Sequence, residues 1–210
     1  MRSILVLLFL FLGRTSYSQK THHFGIGYSA GVSTFYSIVN NGNQQLLNNE
    51  YSFKMNQGAS LKFEVNRSKR WGFYAQTGFQ QRGVRFKNYL GAPKLRYSLN
   101  YWDVELGTQF LINNSPTNKF YARIGITQHT LFLSNRIYDT GKDDIHEEFS
   151  KIDLGGSIGM GYQIPVFQNQ ALQFQMTANS GFKQIYSKTF YQNGMRGNNL
   201  LFVAQLYYLF

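Results

Sequence analysis

From His23 onward, apolar residues fall on every second position, and the pattern restarts seven more times before the chain ends. In the first segment Phe24, Ile26, Tyr28, Ala30 and Val32 share one parity, while Gly25, Gly27, Ser29 and Gly31 take the other. Successive strand side chains point to opposite faces, so each segment reads as a strand with one apolar and one small, polar face. The others fall at about 53–65, 71–79, 95–110, 120–126, 152–164, 172–178 and 200–210. In the fourth, Leu95, Tyr97, Leu99 and Tyr101 keep odd parity and Trp102, Val104, Leu106, Thr108 and Phe110 even parity. A β-bulge near Tyr101–Trp102 is expected to reconcile the two halves. Such a chain is not a helical bundle, and 19 Phe with 15 Tyr exclude a solvated coil. Without Cys it is neither a disulfide scaffold, a zinc knuckle nor a thiol enzyme.

Residues 1–18 read as a secretory signal peptide. Arg2 precedes the apolar run Ile4–Leu12, and Ser16-Tyr17-Ser18 offers small residues before a cut at Gln19. The remainder, 19–210, reads as one domain. Its connections alternate: long polar stretches at about 37–50, 87–94, 135–148 and 184–198, short ones at 67–70, 113–119 and 165–170. Eight strands with long loops at one end and short turns at the other are the plan of an all-β, eight-stranded antiparallel up-and-down transmembrane β-barrel, turns facing the periplasm. A soluble sandwich or lipocalin-like barrel would alternate equally well, with the apolar face inward, but a second face full of Gly, Ser, Gln and paired charges suits a polar lumen. Aromatics also gather in two belts. Phe63, Trp71, Phe73, Phe120, Tyr162 and Tyr208 lie toward the turns; Tyr36, Phe53, Phe79, Tyr97, Phe132 and Phe182 lie toward the loops.

The last strand places Phe202, Ala204, Leu206, Tyr208 and Phe210 on one face. This resembles the C-terminal assembly signal of bacterial outer-membrane barrels, and the resemblance implies the barrel-assembly machinery as a partner. Tyr101-Trp102-Asp103-Val104-Glu105-Leu106 is similar to the Tyr-Leu-Glu-Ile-Pro-Leu stretch of the PorT-type outer-membrane β-barrel family of Bacteroidota. Asp153-Leu154-Gly155-Gly156-Ser157-Ile158-Gly159 resembles that family's Gly-rich sixth strand, although Glu105 stands where the family has Pro. The resemblance implies an outer-membrane address and, as one functional possibility, an accessory role in type IX secretion.

Parity assigns Lys54, Lys62, Glu64, Asp103, Glu105, Arg123, Lys151 and Asp153 to the lumen. An eight-stranded barrel is just filled by its side chains, so these charges are expected to pair as a rigid plug rather than line a channel. No catalytic, cofactor or metal site is expected. His129 and Ser134 differ in parity and so do not share a face. The loop cluster Asp143, Asp144, His146, Glu147 and Glu148 reads as a solvated acidic loop ahead of a weak divalent-cation site. Lys and Arg outnumber Asp and Glu by 21 to 10. Arg82, Arg85, Lys87, Lys94, Arg96, Lys183, Lys188 and Arg196 gather on or near long connections, where they are placed to meet lipopolysaccharide phosphates. Arg67, Lys69 and Arg70 at a turn are placed to meet anionic head groups. The export signal argues against a nucleic-acid partner. The reading is a small non-enzymatic outer-membrane barrel with a structural or interaction role through its loops. A lipid A-modifying enzyme and a narrow channel are minor alternatives.

Overall fold

The computed structural model describes residues 21–36, 51–68, 70–86, 95–114, 118–138, 141–167, 170–182, 185 and 198–210. Residues 1–20, where the signal peptide is expected, most of the long connections and, with them, Lys87, Lys94, Lys183, Lys188 and Arg196 lie outside these residues. Eight long strands build the wall: β1 (Thr21–Tyr36), β3 (Lys54–Asn66), β4 (Trp71–Phe86), β5 (Arg96–Asn114), β6 (Lys119–Ile137), β8 (Ile152–Phe167), β9 (Gln170–Gly181) and β10 (Asn198–Leu209). Two short strands, β2 (Tyr51–Ser52) and β7 (Lys142–Asp144), extend β4 and β6 at the loop end. Neighbours pair antiparallel around the ring, and β1 pairs with β10 from Gly25↔Leu209 to Tyr36↔Asn198, which closes the barrel. Closure leaves the eight wall strands no open edge among themselves.

The outer surface explains the alternation. Phe24, Ile26, Phe73, Leu106, Ile126, Ile158 and Met176 are all exposed. On β4 and β5 the outward apolar rows run from Trp71↔Phe110 up to Phe79↔Trp102, nine residues of tilted strand. That is a band about 20–25 Å tall, the height a bilayer core requires of a barrel. Trp71 and Phe110 meet edge to face at one rim with ring centres 5.0 Å apart, and Phe79 and Phe132 pair at the other at 5.8 Å.

β4, β5 and β6 continue past this band at the loop end. β5 does not change phase: Leu95, Tyr97, Leu99 and Tyr101 are buried on the same inner face as Glu105, Gln109 and Leu111. The expected parity switch at Tyr101–Trp102 is therefore corrected, and Tyr97 leaves the aromatic belt for the interior. The irregularity sits on the neighbouring strand. Asn100 faces Leu133 and Tyr101 faces Leu131, so Phe132 is the extra residue. Phe132 and Leu133 both point outward, and Ser134 turns inward.

Candidate functional site

The lumen is layered. Toward the turn end the Lys62 ammonium lies 2.5 Å from Glu64 Oε1, and both side chains are fully buried. Lys62 also donates to Gln173 Oε1 at 2.7 Å, while Gln173 Nε2 donates to Glu64 Oε1 at 2.9 Å. Three rings surround the ammonium, Tyr74, Tyr121 and Tyr207, with centres 5.6, 5.5 and 5.1 Å away. Each tyrosine stands in register opposite a glycine: Tyr74↔Gly107, Tyr121↔Gly161 and Tyr207↔Gly27. A Cβ at any of these glycines would collide with the ring opposite. Small inner-face residues thus make space for an aromatic cage around one cation.

Above it, Arg123 Nη2 pairs with Glu105 Oε1 at 2.6 Å and its guanidinium stacks 3.7 Å over Tyr74. Tyr74 and Ser157 hydroxyls donate to the same Glu105 oxygen. The uppermost ionic layer joins Arg82 Nη2 to Asp103 Oδ2 at 2.6 Å. His129 Nδ1 lies 2.8 Å from Asp103 Oδ1, and its Nε2 lies 2.9 Å from Thr127 Oγ1. Close by, Asn199 Nδ2 donates to Tyr101 Oη and Asp153 Oδ2. Lys54 donates to the Arg82 carbonyl and to Ser98 Oγ.

An apolar cap closes the loop end. Phe35, Val84, Leu95, Tyr97, Leu99, Tyr101, Leu131, Ile145, Phe149 and Ile185 form one buried cluster. Ile145 and Phe149 flank the short 3-10 turn His146–Glu148, so the third long connection is folded into the mouth. β4 leans across the mouth as well: Gly83, at φ 142°, donates its N–H to Ser33 Oγ on β1, two strands away. Between the upper ionic layers remains a cavity of about 30 Å³ bordered by Asp103, Glu105, Thr127 and Asn179. That is room for a water, not for a substrate.

Of the charges that parity assigns to the lumen, Lys54, Lys62, Glu64, Glu105, Arg123 and Asp153 are buried and Asp103 is partly buried. Lys151 is different: it is exposed just before β8. Arg82 also departs from its expected place at the loop rim, being buried in the lumen. It sits on β4 in phase with Tyr74, Gln76 and Gln80, a parity signal that its position beside a long connection overrode. His129 was legible in the same way, in phase with Tyr121, Arg123 and Thr127. Arg85 and Arg96 are exposed and directly opposed at the loop end. Outer-face positions of the last strand, Phe202, Leu206, Tyr208 and Phe210, are exposed, as is Ala204.

The bulge at Phe132 also overturns the argument that His129 and Ser134 occupy different faces, since both are buried inside. What separates them chemically is that both His129 ring nitrogens are taken, by Asp103 and Arg82 on one side and Thr127 on the other. Thr127, His129 and Asp103 do form a hydroxyl–imidazole–carboxylate chain, and the cavity beside it is water-sized. In the acidic loop Glu148 pairs with Arg136, and Asp144 Oδ1 accepts the His146 N–H. Among the described residues no three His, Asp or Glu side chains gather as metal ligands.

The family model described as outer membrane protein beta-barrel domain matches residues 17–187. No curated protein matches the chain. Among solved structures, Ail, the attachment invasion locus protein of Yersinia pestis, is 14% identical over 92% of this chain and 100% of its own, TM-score 0.48. OprG from Pseudomonas aeruginosa is 13% identical over 91% and 95%, TM-score 0.48. AlkL, solved in lipid bilayers, is 12% identical over 94% and 93%, TM-score 0.49.

Proposed function

Because the chain belongs to the outer membrane protein beta-barrel domain family, and so is a small multi-pass barrel of the outer membrane, we propose that it is a sealed, non-enzymatic barrel with a structural or interaction role carried by its loop end. One observation carries this reading: the lumen is blocked twice, by paired charges through its height and by the apolar cluster over its mouth. Charges buried in pairs hold a barrel rigid, and their side chains leave no continuous path. Among the described residues, the β4–β5–β6 extension with its exposed Arg85 and Arg96 meets the surroundings at this end. Lipopolysaccharide phosphates are the partner that matches two opposed guanidinium groups.

Reconstitution in planar bilayers tests the sealing: folded protein is expected to be electrically silent, and discrete conductance would overturn the reading. Lipid A mass spectra with and without the protein are expected to coincide, and a changed acyl pattern would make it an enzyme. The stretches behind the PorT-type resemblance, Tyr101–Leu106 and Asp153–Gly159, serve the wall and lumen here and assign no surface to a secretion partner. An unchanged secreted proteome in a deletion strain is accordingly expected.

A further inference from the structure

None of the ten acidic residues belongs in sequence to the short turns. Glu64, Asp103, Glu105 and Asp153 lie inside the barrel. Glu50, Asp139, Asp143, Asp144, Glu147 and Glu148 belong in sequence to the long connections. Outside the lumen no Asp or Glu belongs to the turn end, whose segments carry in sequence Lys20, Arg67, Lys69, Arg70 and Lys119. Arg67 and Arg70 are exposed, and Lys119 is half-buried. Among the described residues none of these three enters an ion pair.

Their height is fixed by the wall. Arg67 N–H donates to the Trp71 carbonyl at 3.0 Å, and Ser68 Oγ accepts the Trp71 N–H at 3.0 Å, which ties the turn to the first residue of β4. The Arg70 carbonyl accepts the Leu111 N–H at 2.7 Å, which holds that turn against β5. Arg70 directly precedes Trp71, and Lys119 directly precedes Phe120. Trp71 is 53% exposed on the lipid-facing side. Lys119 shares the inward parity of Tyr121 and lies in register with the buried Gln163, so it faces the lumen mouth. The exposed Arg67 and Arg70 stand beside the aromatic belt, at headgroup depth. Long cationic side chains at that depth reach for phosphate.

We propose that this rim recruits anionic phospholipid of the periplasmic leaflet, with Arg67 and Arg70 of the β3–β4 turn contacting the phosphate and glycerol head groups. Charge complementarity and depth select this occupant, and it is separate from the loop-end role proposed above.

The protein contains two tryptophans, Trp71 at this rim and Trp102 at the other, so Trp102→Phe leaves a reporter beside the site. Detergent-purified, reconstituted protein is titrated with brominated phosphatidylglycerol or brominated phosphatidylcholine, and Trp71 quenching gives the relative binding. The expected preference for the anionic lipid is about fivefold at low ionic strength, falling toward unity at high salt. Arg67→Gln/Arg70→Gln is expected to abolish it. Arg67→Lys/Arg70→Lys is expected to retain it, and heat-modifiable gel migration verifies folding in both. Equal quenching by the two lipids, or a preference that survives the neutral variant, would overturn the proposal. Sedimentation with purified peptidoglycan without any lipid preference would also overturn it and give the rim to the cell wall.

Discussion

Below the row formed by Phe79 and Trp102 the barrel is polar inside and apolar outside; above it, past the buried Arg82, an apolar cluster fills much of the interior and cations face out. In the lower part Lys62, Glu64, Glu105 and Arg123 fill the lumen while Ile126, Ile158 and Met176 face out. In the upper part Tyr97, Leu99, Leu131 and Phe149 fill the interior while Arg85 and Arg96 face out. The same strands, in the same phase on β5, build both parts. The difference is the solvent. Hydrocarbon around the lower wall makes apolar side chains favourable outside and relegates polar ones to the lumen, whereas water around the upper wall restores the usual hydrophobic core.

The contrast is sharpest for ion pairs. Glu64→Leu would strand the Lys62 ammonium in the lumen, and the expected loss is about 3–5 kcal/mol of unfolding free energy in denaturant titrations on vesicles. Adding Lys62→Met is expected to return much of that loss. A double variant as unstable as the single one would show that the cation cage, not the unpaired charge, governs the site. In the apolar cap Leu99→Ala is expected to cost about 2–4 kcal/mol, the signature of a cavity in a packed core. The outward Ile126→Ala should cost less, since lipid can fill the space. Equal costs would blur the distinction between the two regions.

Smaller effects probe the junction. Gly83 adopts φ 142° where β4 crosses toward β1, and its Cβ would run into the Tyr97 carbonyl. Gly83→Ala is expected to cost about 1–3 kcal/mol and to loosen the cap, read as faster amide exchange in β4 beyond Gln80. Smallest of all is the Arg136–Glu148 pair, about one fifth exposed on each side. Arg136→Gln is expected to change stability by less than about 1 kcal/mol, and added salt should erase the change. A large, salt-insensitive effect there would place this pair in a lumen-like environment.

The lower region was legible because one rule covers it. Within the membrane, apolar means outward, and that rule located the strands, the closure and the inward Lys62, Glu64, Glu105 and Arg123. The same rule misplaced the upper part of β5: four apolar odd positions after a polar loop looked outward, and a bulge was required to rescue them. In fact the parity continued and the surroundings changed. Arg82 failed for the converse reason, since a cation beside a loop looks exposed unless its phase with Tyr74 and Gln80 is followed. The extra residue on β6 left no sequence signal beyond the adjacent pair Phe132–Leu133. Partners of the side chains, such as His129 between Asp103 and Thr127, depend on which strands face each other across the lumen. Spacing along one chain does not carry that information.

The inversion can be tested directly because the protein has no Cys. Single variants Arg96→Cys, Leu99→Cys and Val104→Cys would be treated on intact cells with a membrane-impermeant maleimide. If β5 keeps its phase while its surroundings change, Arg96→Cys labels, whereas Leu99→Cys in the cap and Val104→Cys under lipid do not. Labelling of Leu99→Cys at the rate of Arg96→Cys would contradict that account, because the upper interior would then be open to water and the mouth would have no apolar seal.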